Sequence, residues 1–473
     1  MVNQANHSLL KTANRAKRQK MNDVLHFGAE GDGKTDDTAA LQHAIDQSSG
    51  LVEFPPGTFP IKKTLVVDLG KKGPMSIRGA AGATSIVMKG PGPAFRLIGS
   101  HKGTADPKSW TDKTRLQERF PNVTGIEIRG EHPDAVGIEL IETAKPTIQN
   151  IFIRECRVGI HVRQRNRDIL IADSHIYNNE DYGLFLDHVN LHQMNVCGCM
   201  FSYNKGASIA MIGGDLHNLQ FTGNDIEYSH SFDLKRPDSS DILIDARNGI
   251  ASEITFASNT IQGKASVNGA NVRILGRIDQ EGFPSARLIA ITGNILGSQS
   301  TSVQMQFAQR VTLVGNTIYD GHTAGLKAKD CDGLVIANNV HGWSHQPKVP
   351  RPDHYELERC VGVSITGEVF QHAGGGEGES TGVIILKNCR DVAIGQVVIR
   401  NPKKRGIRIE NSSAVTVSGC TITTDSKENL VAAIEIAGQS KNIAVTGNVL
   451  SAGRQGGIAG ANDSVVSTGN RID

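Results

Sequence analysis

The sequence predicts an all-β chain wound as a single-stranded right-handed parallel β-helix of about a dozen coils, with an N-terminal helical cap. Three observations predict it. First, a short unit recurs: an alternating apolar/polar strand, a Gly/Ser-Asn corner and a second apolar pair. It reads LQFTGNDI at 219–226, ITFASNTI at 254–261, IAITGNIL at 289–296 and VTLVGNTI at 311–318. Second, the corners fall at Ser174, Cys199, Asn224, Asn259, Asn294, Asn316, Asn338, Glu368, Gln396, Cys420, Asn448 and Asn470, with steps between 22 and 35 residues. A fixed period of this size marks a solenoid, and alternation with period 2 marks strands. Third, 52 of 473 residues are glycine while only 5% are aromatic. That composition suits many tight corners around a narrow aliphatic core.

One coil cannot bury its own apolar face, so stability comes from stacking on neighbours. Asn side chains at successive corners are placed to form an amide ladder. Cys199 and Cys420 occupy the same corner position, so they are expected to be buried substitutes. The seven cysteines show no CxxC pairing, so neither a disulfide framework nor a zinc site is expected.

The elements follow in order. Residues 1–21 carry Lys11, Arg15, Lys17, Arg18 and Lys20 and no acid before Asp23, which predicts a flexible basic arm. No apolar stretch typical of a signal peptide follows, so a cytoplasmic location is the default expectation. Residues 22–473 are expected to form the β-helix domain, with 22–65 as its cap. Within the cap, a glycine-rich turn leads to a helix with Ala40, Leu41, Ala44 and Ile45 on one face, and Thr35 and Asp36 are N-cap candidates. Gly28, Gly31 and Gly33 do not have phosphate-loop spacing, and Asp32, Asp36 and Asp37 would repel phosphate. The formal net charge is only +2, which argues against a nucleic-acid partner. No apolar run is long enough to span a membrane.

The segment FGAEGDGKTDDTAALQHAID followed by VEFPPGTF resembles the opening of the pectate-lyase-like superfamily, which includes rhamnogalacturonase-, epimerase- and tailspike-type proteins. The resemblance covers residues 22–65 closely and implies a right-handed β-helix and, usually, a polysaccharide substrate. The catalytic motifs of its known enzymes appear only as fragments: Gly321-His322 is followed by Thr, and Arg408-Ile409 by Glu. Phe185-Leu-Asp-His188 resembles the Asp-His fragment of classical pectate lyases. The resemblance therefore implies fold more than reaction.

Corner alignment assigns faces. The second residue after the corner is apolar and points inward, so the first and third point outward. The outward columns include His175, Tyr177, Asp225, Glu227, Gln262, Tyr319 and His341, with Tyr203 and Tyr228 one position further. Insertions at 229–240, 264–285 and 341–358 would rim this stripe, the last bringing Trp343, His345 and His354. Such a polar, aromatic stripe suits an extended glycan, although any solvated β-face is polar.

Two chemistries fit. A glycoside hydrolase needs two carboxyl groups across the scissile bond. A polysaccharide lyase needs a base and a positive group, with or without calcium. Glu227 is expected as the principal acid or base, with Asp225, Lys205 and His175 beside it. Asp245 and Asp187 form a second tier. Tyr177, Tyr203, Tyr228, Gln262, Arg247, Tyr319, His341 and Trp343 are expected to bind substrate. No metal ligands and no organic cofactor are expected, apart from calcium in a lyase. The expected partner is an acidic or decorated polysaccharide, handled by a monomer or a homotrimer. A non-catalytic glycan-binding or adhesin-like β-helix is the alternative.

Overall fold

The computed structural model describes residues 22–103, 106–229, 239–344, 352–371, 373–375 and 378–473. The basic arm expected at 1–21 and His345 lie outside the described residues. The described chain forms two compact units, 22–204 and 205–473. Both are parallel β-solenoids, and together they make about 16 turns. The sequence count of about a dozen is low because the first coils, from Leu51 onward, lack the corner Asn. Among the described residues no helix is long and apolar enough to cross a membrane.

In the first unit the early coils give three short parallel strands each, and in later coils two of these merge into the long strands Val158–Ala172 and Tyr182–Cys197. Gly57–Ile61, Thr84–Met88, Glu127–Gly130, Phe152–Arg154, His175–Tyr177 and Met200–Ser202 stack in register. Their central residues, Phe59, Ile86, Ile128, Ile153, Ile176 and Phe201, are fully buried. The helix Thr38–Gln47 buries Leu41, Ala44 and Ile45, while Ala40 is only half-buried. Its N-cap is Asp37, not Thr35 or Asp36. The Asp37 carboxylate instead accepts the amides of Glu30 and Gly31, at 2.7 and 3.1 Å. Asp32 likewise accepts the amides of Lys34 and Thr35. The glycine-rich turn thus satisfies its own acids.

In the second unit the equivalent sheet runs from Asp225–Glu227 through Thr260–Gln262, Ile295–Gly297 and Thr317–Tyr319 to Arg471–Ile472. The amide ladder is continuous here. Asn224 Nδ2 donates to Asn259 Oδ1, Asn259 to Asn294, Asn294 to Asn316 and Asn316 to Asn339, each at 2.9–3.0 Å. Each acceptor oxygen also takes the backbone N–H of the preceding Asn. Asn339 then donates to Glu368. Cys420, Asn448 and Asn470 resume the ladder. Cys199 and Cys420 are buried on this corner, and all seven cysteines are free thiols. Burial pushes the Cys199 thiol up to about 12, so it is not a nucleophile at neutral pH.

Two corners are one residue later than the spacing predicts. The residue before each corner takes a left-handed backbone, usually as glycine: Gly223, Gly293 and Gly315 have φ of 65, 62 and 67°. Asn338 and Gln396 adopt that conformation, with φ of 55 and 53°, so Asn339 and Val397 are the corners. Asn tolerates this region better than most residues. Val397 offers no side-chain hydrogen bond, which explains the gap in the ladder.

Removing one rung leaves buried polar groups unpaired on both sides. Asn294→Ala should destabilise the protein by about 1–3 kcal/mol, seen as a lower thermal midpoint, whereas Asn470→Ala at the ladder's end should cost less. Equal midpoints for wild type and Asn294→Ala would contradict the ladder's role.

A second prediction concerns a buried acid. Asp241 accepts the Asn271 amide at 2.9 Å and the Ser229 N–H at 3.2 Å. Burial raises its pKa to about 7, although these hydrogen bonds oppose the shift. The raised folded pKa means the protonated form is the one the fold accommodates. Its contribution is complete below the unfolded pKa of about 4 and is lost as pH rises through 7, on the order of 4 kcal/mol. Urea unfolding should therefore show stability falling from pH 5 toward 8 in the wild type and a flatter profile in Asp241→Asn.

Candidate functional site

The register fixes which side chains meet. In Asp225–Glu227 the central Ile226 is buried, so Asp225 and Glu227 both face outward. Glu227 aligns with Gln262, Gln262 with Gly297 and Gly297 with Tyr319. Gly297 has no side chain in this row, and the Tyr319 ring fills its place. A Cβ at 297 would lie 2.5 Å from that ring. Tyr228 follows Glu227 with a left-handed backbone, φ 53°.

The electrostatics are those of a half-sheltered acidic patch. Burial raises the pKa of Asp225, and its buried Oδ1 has no hydrogen-bond partner among the described residues. Burial also raises Glu227, and the neighbouring Asp225 charge adds to the shift. The Tyr319 phenol is raised first by burial, against a hydrogen bond with Ser298. The charges of Asp320, Tyr228 and Glu227 act in the same direction as burial. Residues i and i+2 of a strand are about 6.6 Å apart along the chain. Asp225 and Glu227 can therefore face one bound group with two carboxyls, one holding its proton longer than usual.

The other expected residues are distributed differently. The Lys205 carbonyl accepts the Ser239 hydroxyl at 2.6 Å at the turn before the strand Ala207–Thr222. Asp245 lies on a different sheet, in Ser240–Ala257, and both its oxygens are held by Arg247 at 2.8 and 2.6 Å. A carboxylate so engaged is a poor base. Trp343 is half-buried just beyond the strand Val340–Gly342.

His341 is a correction. It is 0% exposed, stacks on Phe370 at 4.3 Å, and bonds Tyr355 Oη at 2.6 Å and Glu368 Oε2 at 3.1 Å. The corner at Asn339 makes His341 the inward second residue, and a one-residue slip in register exchanges the faces. His341 belongs to the core and cannot bind an external substrate.

The first unit contains its own features. Tyr177 and Tyr203, 37% and 42% exposed, pack edge to face at 5.5 Å. Phe152 lies 6.3 Å from Tyr177 and 6.1 Å from His175. Phe152, which the sequence reading missed, was legible as the outward first residue of its strand. Asp187 is set in a charged cluster on another sheet. His161 Nε2 lies 3.0 Å from Asp187 and its Nδ1 3.8 Å from buried Glu139, while His188 Nδ1 bonds Asp187 at 2.8 Å. Burial would raise Asp187, but the bonds from His188 and His161 prevail and hold its pKa below the usual value. His161 is lowered by burial despite both acids. The cluster is a satisfied ion network. Among the described residues no three His, Cys, Asp or Glu side chains stand together as a metal site.

Comparison with known families agrees with this architecture. Residues 122–261 and 301–473 match the family described as "Right handed beta helix region". The chain belongs to that family. Residues 21–92 match "Rhamnogalacturonase A/epimerase, pectate lyase-like", so this β-helix carries the cap of the pectate-lyase-like superfamily. No curated protein matches the chain. Among solved structures, the tailspike protein of E. coli bacteriophage HK620 in complex with pentasaccharide is 10% identical, with a TM-score of 0.51 over 96% of this chain and 78% of that one. Geobacillus virus E2 ORF18 is 16% identical with a TM-score of 0.47, over 77% of this chain. This β-helix spans 64% of that viral chain. The A-module of mannuronan C-5 epimerase AlgE6 from Azotobacter vinelandii is 14% identical with a TM-score of 0.42, over 95% and 99%. These likenesses are of fold.

The acid pair makes a direct prediction. Removing the Asp225 charge should lower the Glu227 pKa toward its ordinary value while burial keeps part of the elevation. Carboxyl-carbon NMR titration of wild type and Asp225→Asn reads this. An unchanged Glu227 titration would mean the two groups do not interact.

Proposed function

We propose that this β-helix is a carbohydrate-active enzyme that cleaves an acidic or decorated polysaccharide, with Glu227 and Asp225 as its working carboxyls. The observation that carries the reading is the outward pair itself. Both acids are raised in pKa, Gln262 lies beside Glu227, and the Tyr228 and Tyr319 phenols are close enough to share their field. Of the two chemistries, hydrolysis fits the pair better. Two outward carboxyl side chains on one strand match the two-carboxyl requirement of glycoside hydrolysis.

In this reading protonated Glu227 gives its proton to the glycosidic oxygen as the bond to the anomeric carbon breaks. Asp225 takes a proton from the water that attacks the opposite face. The phenol and indole rings offer apolar faces to sugar rings.

A second reading rests on a different observation. The exposed row of Phe152, Tyr177 and Tyr203 in the first unit is a stacking surface that needs no catalysis, and it favours glycan binding without cleavage.

The test is a polysaccharide panel assayed in parallel for new reducing ends and for unsaturated uronate products. Reducing ends without unsaturation are expected. Glu227→Gln should lower the rate by about 100-fold or more with unchanged thermal melting. A fully active Glu227→Gln would remove Glu227 from the mechanism. Unsaturated products would replace hydrolysis by elimination, and retention of a polysaccharide without any cleavage would favour the binding module.

A further inference from the structure

The first unit contains a cavity away from the short-strand sheet. Residues 99–103 and 106–121 lie between the strands Gly92–Ile98 and Asn122–Thr124 as an insertion in the coil. The insertion is pinned by buried Glu118, whose oxygens accept the N–H and hydroxyl of Ser100, both at 2.7 Å. Together with the bend at Lys145 and Arg167 on the strand Val158–Ala172 it borders an open pocket of about 680 Å³, lined by Trp110, Leu116, Arg119, Lys145, Arg167 and Asp168 among others.

The charge in this cavity is unbalanced. The Arg167 guanidinium lies 4.7 Å from the Trp110 ring centre and the Lys145 ammonium 5.5 Å from it. Both cations lie near the Asp168 carboxylate, at 3.7 and 3.1 Å. Arg119 is exposed at the rim and has no carboxylate within 4 Å among the described residues. Arg115 on the same wall is already paired with Asp112 at 2.7 Å. Buried His101, 5.0 Å from Trp110, feels the same field. Burial, and then the charges of Arg165 and Arg167, push its pKa down to about 4. Three cations beside an aromatic wall, with one internal acid, suit an external anion with an apolar face.

We propose that this cavity binds an anionic sugar unit: a saccharide ring bearing carboxylate, sulfate or phosphate. Arg119 and Lys145 receive the charged group, and Trp110 and Leu116 meet the ring. The proposal rests on the reading that the chain handles glycans, but it needs no chemistry at Glu227.

The two tryptophans, Trp110 and Trp343, make the test specific. In the full chain carrying Trp343→Phe, emission reports Trp110 alone. Titration with oligogalacturonate, a sulfated oligosaccharide and a phosphorylated sugar is compared with a neutral cello-oligosaccharide, inorganic phosphate and single-stranded DNA. At least one acidic saccharide should shift the emission saturably while the neutral one does not. Raising salt from about 50 to about 500 mM should weaken binding. Arg119→Gln, at an exposed position without an ion-pair partner, should weaken it at least tenfold with unchanged melting, and Glu227→Gln should leave it intact. The proposal is overturned by no response to any acidic saccharide, by equal response to the neutral one, by unchanged affinity in Arg119→Gln, or by a response to phosphate or DNA alone. Acidic-sugar binding here without cleavage of any polysaccharide would instead reject the Glu227 reading and keep this one.

Discussion

The bond from each corner Asn to the next coil sets the register on which the second unit depends. An interior side-chain amide takes two N–H groups and donates twice, to the next corner's oxygen and to a backbone carbonyl, so a slipped coil would leave buried donors and acceptors unpaired. With the corners locked, the residues one and three positions later are locked into rows as well. That is why Glu227, Gln262 and Tyr319 share a row although 92 residues of chain separate the first from the last. The apolar stack of Ile226, Ile261, Leu296 and Ile318 supplies burial and already opposes a one-residue slip, which would turn these side chains outward. The ladder adds to that constraint.

The same rule explains what was legible in the sequence. Alternation and corner spacing gave the fold, the ladder from Asn224 to Asn316, the buried cysteine corners and the outward placement of Asp225 and Glu227. They failed at the doubled Asn338-Asn339, where either residue satisfies the pattern. Only the backbone preference for a left-handed residue before the corner decides between them. The error was one residue, and it turned a core histidine into a surface one. Asp245 illustrates a different limit: its strand position says it is outward, but only the folded geometry reveals that Arg247 occupies both its oxygens. His161 and Asp187 sit on neighbouring coils two positions out of register, so their meeting is a diagonal between coils that spacing along the chain does not encode. The cavity around Trp110 was illegible for a third reason. Its walls come from an insertion, a bend at Lys145 and part of the strand Val158–Ala172, and the insertion does not repeat.

The acids of this protein also divide by what surrounds them. Asp187 accepts from two histidines and is held below its ordinary pKa, so it remains charged and gives up little by staying where it is. Asp225 and Glu227 lack such partners and are raised instead. A raised carboxyl is a poor structural element, because its ionised form is opposed by its environment. It is a useful chemical one, because it holds its proton to higher pH than an ordinary carboxyl.

Stability and chemistry are thus drawn from alternate residues of the same strand. Ile226 and the neighbouring Asn224 hold the coil, so Asp225 and Glu227 on either side of Ile226 need not contribute to holding it. A globular core rarely separates the two roles so cleanly, since an unsatisfied group there weakens contacts on every side. In a solenoid the cost of an unsatisfied outward group stays within its own row, and each coil is secured by the coils above and below. The rim guanidinium of Arg119 is such a group: among the described residues it has no carboxylate within ion-pair distance, and it stands exposed where the packing does not require it, which is the condition under which a polar side chain is free to meet a ligand.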